Sequence, residues 1–372
     1  MSVYLYPIKQ AGLIFLIAFA LLMIPTMIFQ YRKYGSVSTG RSIILYGFLF
    51  YMIAAYFLVI LPLPAKESVT NSYRDMMQLV PFAFVRDFFT HTSLRLGSPS
   101  TYLPALLQGV VTQPVFNVFL TIPFGMFLRY YFDRTWKETL IASFLLSLFF
   151  ELSQLSGLYG IYPGPYRLFD IDDLFLNTSG GMIGYLISPL INVFFPSRRE
   201  LDRLSYERGH TVSYIRRFIA YSVDLVLLGF LSNILNYGVR AVGLSMVSPI
   251  VYPILFMVYF AVFPVAFDAP TLGQRLVKIE VVSDTNQTLK ALLIRAAFVL
   301  VFFDYGAKFI NLLWDIINNS NTAFYTLGVL FILGVQVLWY AFIAIHLIYT
   351  ARHSHKLFYE TISKTSTVST IE

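Results

Sequence analysis

Two sets of polar side chains interrupt otherwise apolar stretches of this 372-residue chain, and any chemistry must be sought there. The first set is Asn117, Glu151, Gln154, Arg167, Asp170, Asp173 and Asn177. Glu151 and Gln154 are three positions apart, Asp173 and Asn177 four, so each pair shares one face of a helix. Carboxylates beside amides suit the binding of polar groups, and two carboxylates in a partly desolvated place suit proton transfer. The second set is Arg217, Asp224, Asp268, Asp304, Lys308 and Glu360. Asp224, Asp304 and Lys308 together could relay a proton or a cation. The plainer reading of Asp304 and Lys308 is a mutually neutralising pair one helical turn apart.

Several chemistries are excluded or disfavoured. The chain has no Cys, so disulfides, thiolate catalysis and Cys-bound metal are ruled out. His91, His210, His346, His353 and His355 show no zinc spacing, and the last two read as solvated residues of a basic tail. No nucleophile motif and no metal-ligand set is found. We expect no cofactor and no metal, and an enzyme ranks behind the other functions.

The elements that position these residues follow from composition. The chain is 57% hydrophobic and 13% charged, against roughly 25% charged in a soluble domain. Runs of about 18 apolar residues cross a bilayer core as helices. Spans are expected near 8–30, 41–61, 113–131, 137–155, 172–195, 214–236, 246–267, 294–317 and 325–349. The fold class is therefore an all-α polytopic membrane protein, with about nine transmembrane helices in two bundles. The first span is too long for a signal peptide, ends in Gln30, Tyr31, Arg32 and Lys33, and lacks a small-residue cleavage site.

Lys and Arg concentrate in alternate gaps: 31–41, 129–137, 195–217, 268–295 and the tail from 350. Cytoplasmic loops attract these residues, so the N-terminus is expected outside and the C-terminus in the cytosol. The net charge of +7 then reflects loops facing anionic lipid rather than a nucleic-acid partner. This orientation brings Asn117, Glu151, Gln154, Asp173 and Asn177 to one depth below the outer face, with Arg167 just above. A plainer reading of the same acids is that Asp170 or Asp172 caps a helix and Arg167 pairs with its neighbours. Asp224 falls about ten residues into its span, roughly 15 Å deep. Gly180, Gly181 and Gly184 suit close helix packing. Residues 79–89 are too short to cross and read as an interfacial or re-entrant piece, or more plainly as a loop helix that caps the bundle.

The polar stretch 196–210 divides the chain. We expect an N-terminal helix at 1–36, a membrane domain at 37–196, a basic cytosolic linker at 197–211 and a second membrane domain at 212–368. The series Asn117, Pro123, Gly125, Ser147, Glu151, Gln154, Arg167, Asp170, Asp173, Asn177, Gly180 and Gly181 resembles the VanZ family in order and spacing. Its members are bacterial multi-pass membrane proteins, and the founder is associated with resistance to the glycopeptide teicoplanin. In the second half, Arg217, Ala220 and Asp224, then Asp268 to Val282 with Thr271, Gly273 and Arg275, then Arg295, resemble the RDD family. Where that family has Asp near its end, this chain has Glu360. Some RDD relatives exchange Na⁺ for H⁺.

The resemblances imply the bacterial cytoplasmic membrane. They favour an envelope protein that contributes to glycopeptide resistance or cell-wall stress tolerance through an outer-leaflet polar site. Its partners would be the lipid bilayer and a lipid-linked cell-wall precursor or a glycopeptide. A transporter coupled to H⁺ or Na⁺ is the alternative, and a membrane enzyme acting on a lipid-linked substrate follows it.

Overall fold

Backbone groups inside a bilayer have no water to bond, so apolar runs of this length must satisfy themselves as helices. The computed structural model, which describes residues 2–70, 72–318, 325–353 and 356–371, is helical nearly throughout. Among the described residues, eight helices are long and apolar enough to cross a membrane: Leu5–Tyr34, Thr39–Ile60, Gly109–Tyr130, Trp136–Leu155, Ile171–Ile191, Tyr214–Ala241, Ser245–Phe267 and Tyr325–Thr350. The ninth expected span, 294–317, is not among them. It lies in a continuous helical run made of Thr288–Val299, a π turn at Leu300–Tyr305, and Gly306–Asn318. It also carries Arg295, Asp304, Lys308 and Asp315, each costly in hydrocarbon. The molecule is an all-α multi-pass membrane protein; its short strands form two two-stranded pairings and no closed sheet. His355 lies outside the described residues.

The chain divides into two units, one of residues 1–25 and 38–204, the other of 26–37 and 205–372. In the first unit we label α1 (Ser2–Tyr34, whose last turns belong to the second unit), α2 (Thr39–Ile60), α3 (Ala83–His91), α4 (Gly109–Tyr130), α5 (Trp136–Leu155) and α6 (Ile171–Ile187). A capping box begins α5: Thr135 Oγ1 accepts the Glu138 N–H, and Glu138 accepts the Thr135 N–H. Ala55, Leu120, Phe124, Leu146 and Phe150 form its apolar core.

Helix α6 lies against α4 and α5 at glycine contacts. A Cβ on Gly180 would meet the Val118 carbonyl, and one on Gly184 would meet the Ile122 carbonyl. A Cβ on Gly125 would strike the backbone of Gly181. Small residues thus let backbones approach where lipid supplies no hydrophobic force between helices. Strand β1 (Met77–Gln78) pairs in parallel with β2 (Phe169–Asp170), tying the long 62–108 connection to the start of α6. The polar stretch 196–210 contains a helix, Arg198–Gly209. Within it Asp202 pairs with the buried Arg41 at 2.6 Å.

In the second unit we label α7 (Tyr214–Ala241), α8 (Ser248–Met257), α9 (Leu272–Leu276), α10 (Thr288–Val299), α11 (Gly306–Asn318), α12 (Tyr325–His353) and α13 (Phe358–Ser363). Leu228, Phe256, Ala261, Leu292, Ala296 and Leu300 form the main core. Strand β3 (Ile279–Ser283) pairs antiparallel with β4 (Thr365–Ser369), in the register Ile279 to Ser369 and Ser283 to Thr365. The pairing carries the end of the chain back to α9 and α10.

Candidate functional site

The polar layer of the first unit is built on a stripe. Thr139, Ser143, Ser147 and Glu151 recur every fourth residue of α5, so they line one face, and each is buried. Opposite them, α6 begins where Asp170 Oδ1 accepts the Asp172 N–H at 2.9 Å. Asp170 is therefore the cap of α6, one of the two roles its position allows. Glu151 Oε2 accepts the Asp170 N–H at 3.0 Å, which pins the same turn from the other side. Burial pushes the Asp170 carboxyl above the usual carboxylate range, against the N–H bond from Asp172.

Three helices meet in one network. The Asn117 amide donates to Asp173 Oδ1 at 2.5 Å, joining α4 to α6. Ser147 Oγ donates to the Asp173 carbonyl at 3.1 Å and accepts from Asn177 Nδ2 at 2.9 Å, joining α5 to α6. Thr121 Oγ1 donates to the Asn177 carbonyl at 2.6 Å. Asn117, Asp173, Ser147 and Asn177 thus form one layer, with Glu151 adjoining through Asp170.

Gln154 and Arg167 are placed differently. Gln154 Nε2 and Arg167 both donate to the Val59 carbonyl, at 3.0 and 2.7 Å, near the end of α2. Among the described residues Arg167 forms no ion pair, and its side chain is exposed beside the acids. The layer therefore has buried acceptors with an exposed cation beside them. Asn177 Oδ1 and Ser143 Oγ are buried without a hydrogen-bond partner among the described residues. Such an arrangement can take hydroxyl, amide or ammonium groups at its acceptors and an anionic group at Arg167. No group of three His, Asp or Glu side chains could hold a metal ion among the described residues.

Asp172 was weighed from sequence only as an alternative cap, and its role in the fold is another one. Its two oxygens accept the N–H groups of Phe82 and Phe84 at 2.6 and 3.0 Å. It thereby satisfies donors at the start of α3, where Phe82 has a left-handed φ of 62°. The Phe82 ring stacks on Phe175 of α6 at 5.7 Å. The start of α3 is thus fastened to the helix that carries Asp173. Thr121 and Ser143 were also missed; the four-residue spacings Asn117–Thr121 and Ser143–Ser147 were the available signal.

In the second unit Asp224 is enclosed by donors. Tyr259 OH and Thr271 Oγ1 each donate to it at 2.6 Å, and the Gly273 N–H at 2.7 Å. It thus binds the first turn of α9, whose own cap is Thr271 paired with Gln274, and a Cβ on Gly273 would collide with the Ala220 carbonyl. Asp304 and Lys308 face each other at 3.9 Å, with Lys308 exposed and lying over the rings of Tyr252 and Tyr305. No hydrogen bond or ion pair joins Asp224 to either among the described residues. Asp268 is exposed, with a φ of 46°, just past Phe267.

Glu360 lies between two arginines. Arg217 donates to one oxygen at 2.7 Å, and Arg295 reaches the other at 3.4 Å. Thr367 Oγ1 and the Leu357 N–H add bonds of 2.6 and 3.1 Å. Burial would push the carboxyl up, but Arg217 and Arg295 outweigh it and hold it below the usual glutamate range. The guanidinium of Arg217, at the start of α7, is thus engaged by this acid. Its neighbour Arg216, fully buried, donates to the carbonyls of Val277, Gly209 and Lys278 at 2.7, 2.8 and 2.5 Å. Nothing in the spacing separated the two arginines.

A family model described as VanZ/LLP1 matches residues 48–192, and a model of the RDD family matches residues 211–353. Comparison with curated proteins and with solved structures gave no match. The first range contains the whole Asn117–Asn177 layer, and the second contains Arg217, Asp224, Asp268 and Arg295 but stops short of Glu360. The chain is thus a multi-pass membrane protein in which a VanZ-like domain is followed by an RDD-family domain.

Proposed function

We propose that the protein serves the cell envelope from the bacterial cytoplasmic membrane. In this reading the VanZ-like domain recognises a lipid-linked cell-wall precursor, or the glycopeptide itself, at a polar site beneath the outer face. It thereby lowers susceptibility to teicoplanin-type antibiotics. The observation that carries the reading is the layer in which Asn117, Ser147, Asp173 and Asn177 meet from three helices, leaving the Asn177 Oδ1 acceptor without a partner among the described residues. Polar groups in membrane helices are costly and mark function by default. Sugars and peptides present the hydroxyl and amide donors that such acceptors take, and the exposed Arg167 guanidinium suits an anionic phosphate. The Lys and Arg distribution supports the outward orientation of this end.

The test is teicoplanin susceptibility of a deletion strain carrying the parental gene, Glu151→Gln or Asp173→Asn, with membrane levels checked by immunoblot. The deletion and both variants are expected to be several-fold more susceptible than the complemented parent. A deletion strain as resistant as its parent would remove the proposal.

A further inference from the structure

The second unit holds a cavity of about 980 Å³ at the end of α7 where Arg217 lies. Its inner wall is aromatic and aliphatic, with Tyr221, Phe256, Phe260 and Phe303 among the lining residues. Its charged lining comprises two cations, Arg217 and Arg295, against three acids, Asp224, Asp268 and Glu280. These charges are not equivalent. Glu360 binds both arginines from behind, and Asp224 is enclosed by three donors. His346 Nε2 accepts the Phe358 N–H at 3.0 Å. Asp268 and Glu280 are left: among the described residues neither side chain has a hydrogen-bond or ion-pair partner.

We propose that this cavity binds an amphiphilic organic cation, an ammonium or phosphonium centre carrying aromatic or alkyl groups. The Asp268 and Glu280 carboxylates attract the charge, and the aromatic faces receive the apolar body and add cation–π attraction. Asp268 follows directly on the membrane helix that ends at Phe267, and Glu280 lies in β3, outside the candidate spans. Both acids therefore mark the watery end of the cavity. A cation enters charge first from water, or body first from the bilayer. An anionic lipid fits worse, because the two arginines are already occupied and the free charges are negative. The site is separate from the polar layer of the first unit, and neither proposal depends on the other.

The experiment uses the full chain in nanodiscs and two probes of matched shape and opposite charge, tetraphenylphosphonium and tetraphenylborate. Binding to empty nanodiscs is subtracted. Saturable binding of the phosphonium, with the borate at least about ten-fold weaker, is expected. Asp268→Asn combined with Glu280→Gln should weaken phosphonium binding about ten-fold or more. Neither carboxylate bonds to the rest of the fold, so the thermal midpoint of the double variant should match the parent. Borate binding equal to or tighter than the phosphonium, no saturable component, or unchanged phosphonium affinity in a correctly folded double variant would each overturn the proposal.

Discussion

The side-chain amide of Asn117 donates to the carboxylate of Asp173 at 2.5 Å, across the contact between α4 and α6. Removing the amide leaves a half-buried acid without its donor. Hydrogen bonds to charged groups contribute about 1.5–3 kcal/mol. Asn117→Leu, similar in volume, should therefore lower the stability of the solubilised protein by about that amount, read as a lower thermal midpoint. The reciprocal pair, Asn117→Asp with Asp173→Asn, should recover part of the loss. An unaltered midpoint in Asn117→Leu would show that the bond does not hold the helices.

The glycines of α6 give a packing prediction. Gly184→Ala places a methyl group against the Ile122 carbonyl, and backbone cannot yield as a side chain can. Overpacking of this kind costs about 1–3 kcal/mol. Gly47→Ala in α2 meets nothing within 4 Å and serves as the control. Its midpoint should stay level or rise slightly, since Ala favours helix over Gly. Equal effects of the two substitutions would contradict the close approach.

Glu360 makes the second domain sensitive to acid. Its carboxyl is held below the ordinary value of 4.5 in the folded chain. A depressed acid stabilises fully above the unfolded value, and that contribution disappears as pH falls through the folded value. The parent should thus lose stability as pH drops below about 4.5. Glu360→Gln should be less stable than the parent at neutral pH, with the gap closing in acid. A gap that stays constant with pH would show that the charge on Glu360 does not matter.

Asp172 is predicted to fasten the 62–108 connection. Asp172→Ala removes the acceptor of the Phe82 and Phe84 amides, so hydrogen exchange at 82–91 should quicken. Exchange within α5 should change little. Equal protection of the loop with and without the carboxylate would dispose of this role.

The membrane helices and much of the polar layer could be read from the chain. Apolar length fixes spans, and the three- and four-residue spacings of Glu151, Gln154, Asp173 and Asn177 fix which side chains share a face. Glycine spacing in α6 likewise indicated close helix packing, while the partner α4 emerged only in the structure. Other features depend on contacts that periodicity does not carry. Asp172 meets Phe82 from 90 positions away, and Glu360 meets Arg217 from 143. Strands of two and five residues show too little alternation to be distinguished from loop. The 294–317 segment is helical throughout but carries Arg295, Asp304, Lys308 and Asp315, which set it apart from the eight apolar spans.

The outward position of the Asn117–Asp173 layer is tested most directly by labelling. The chain has no native cysteine, so a single introduced thiol reports alone. Ile161→Cys and Tyr206→Cys place it at exposed sites, the first near the polar layer and the second in the basic stretch. In intact cells a membrane-impermeant maleimide should label Ile161→Cys at once and Tyr206→Cys only after lysis. Labelling of Tyr206→Cys from outside, with Ile161→Cys protected until lysis, would turn the layer toward the cytosol and contradict an outer-leaflet site.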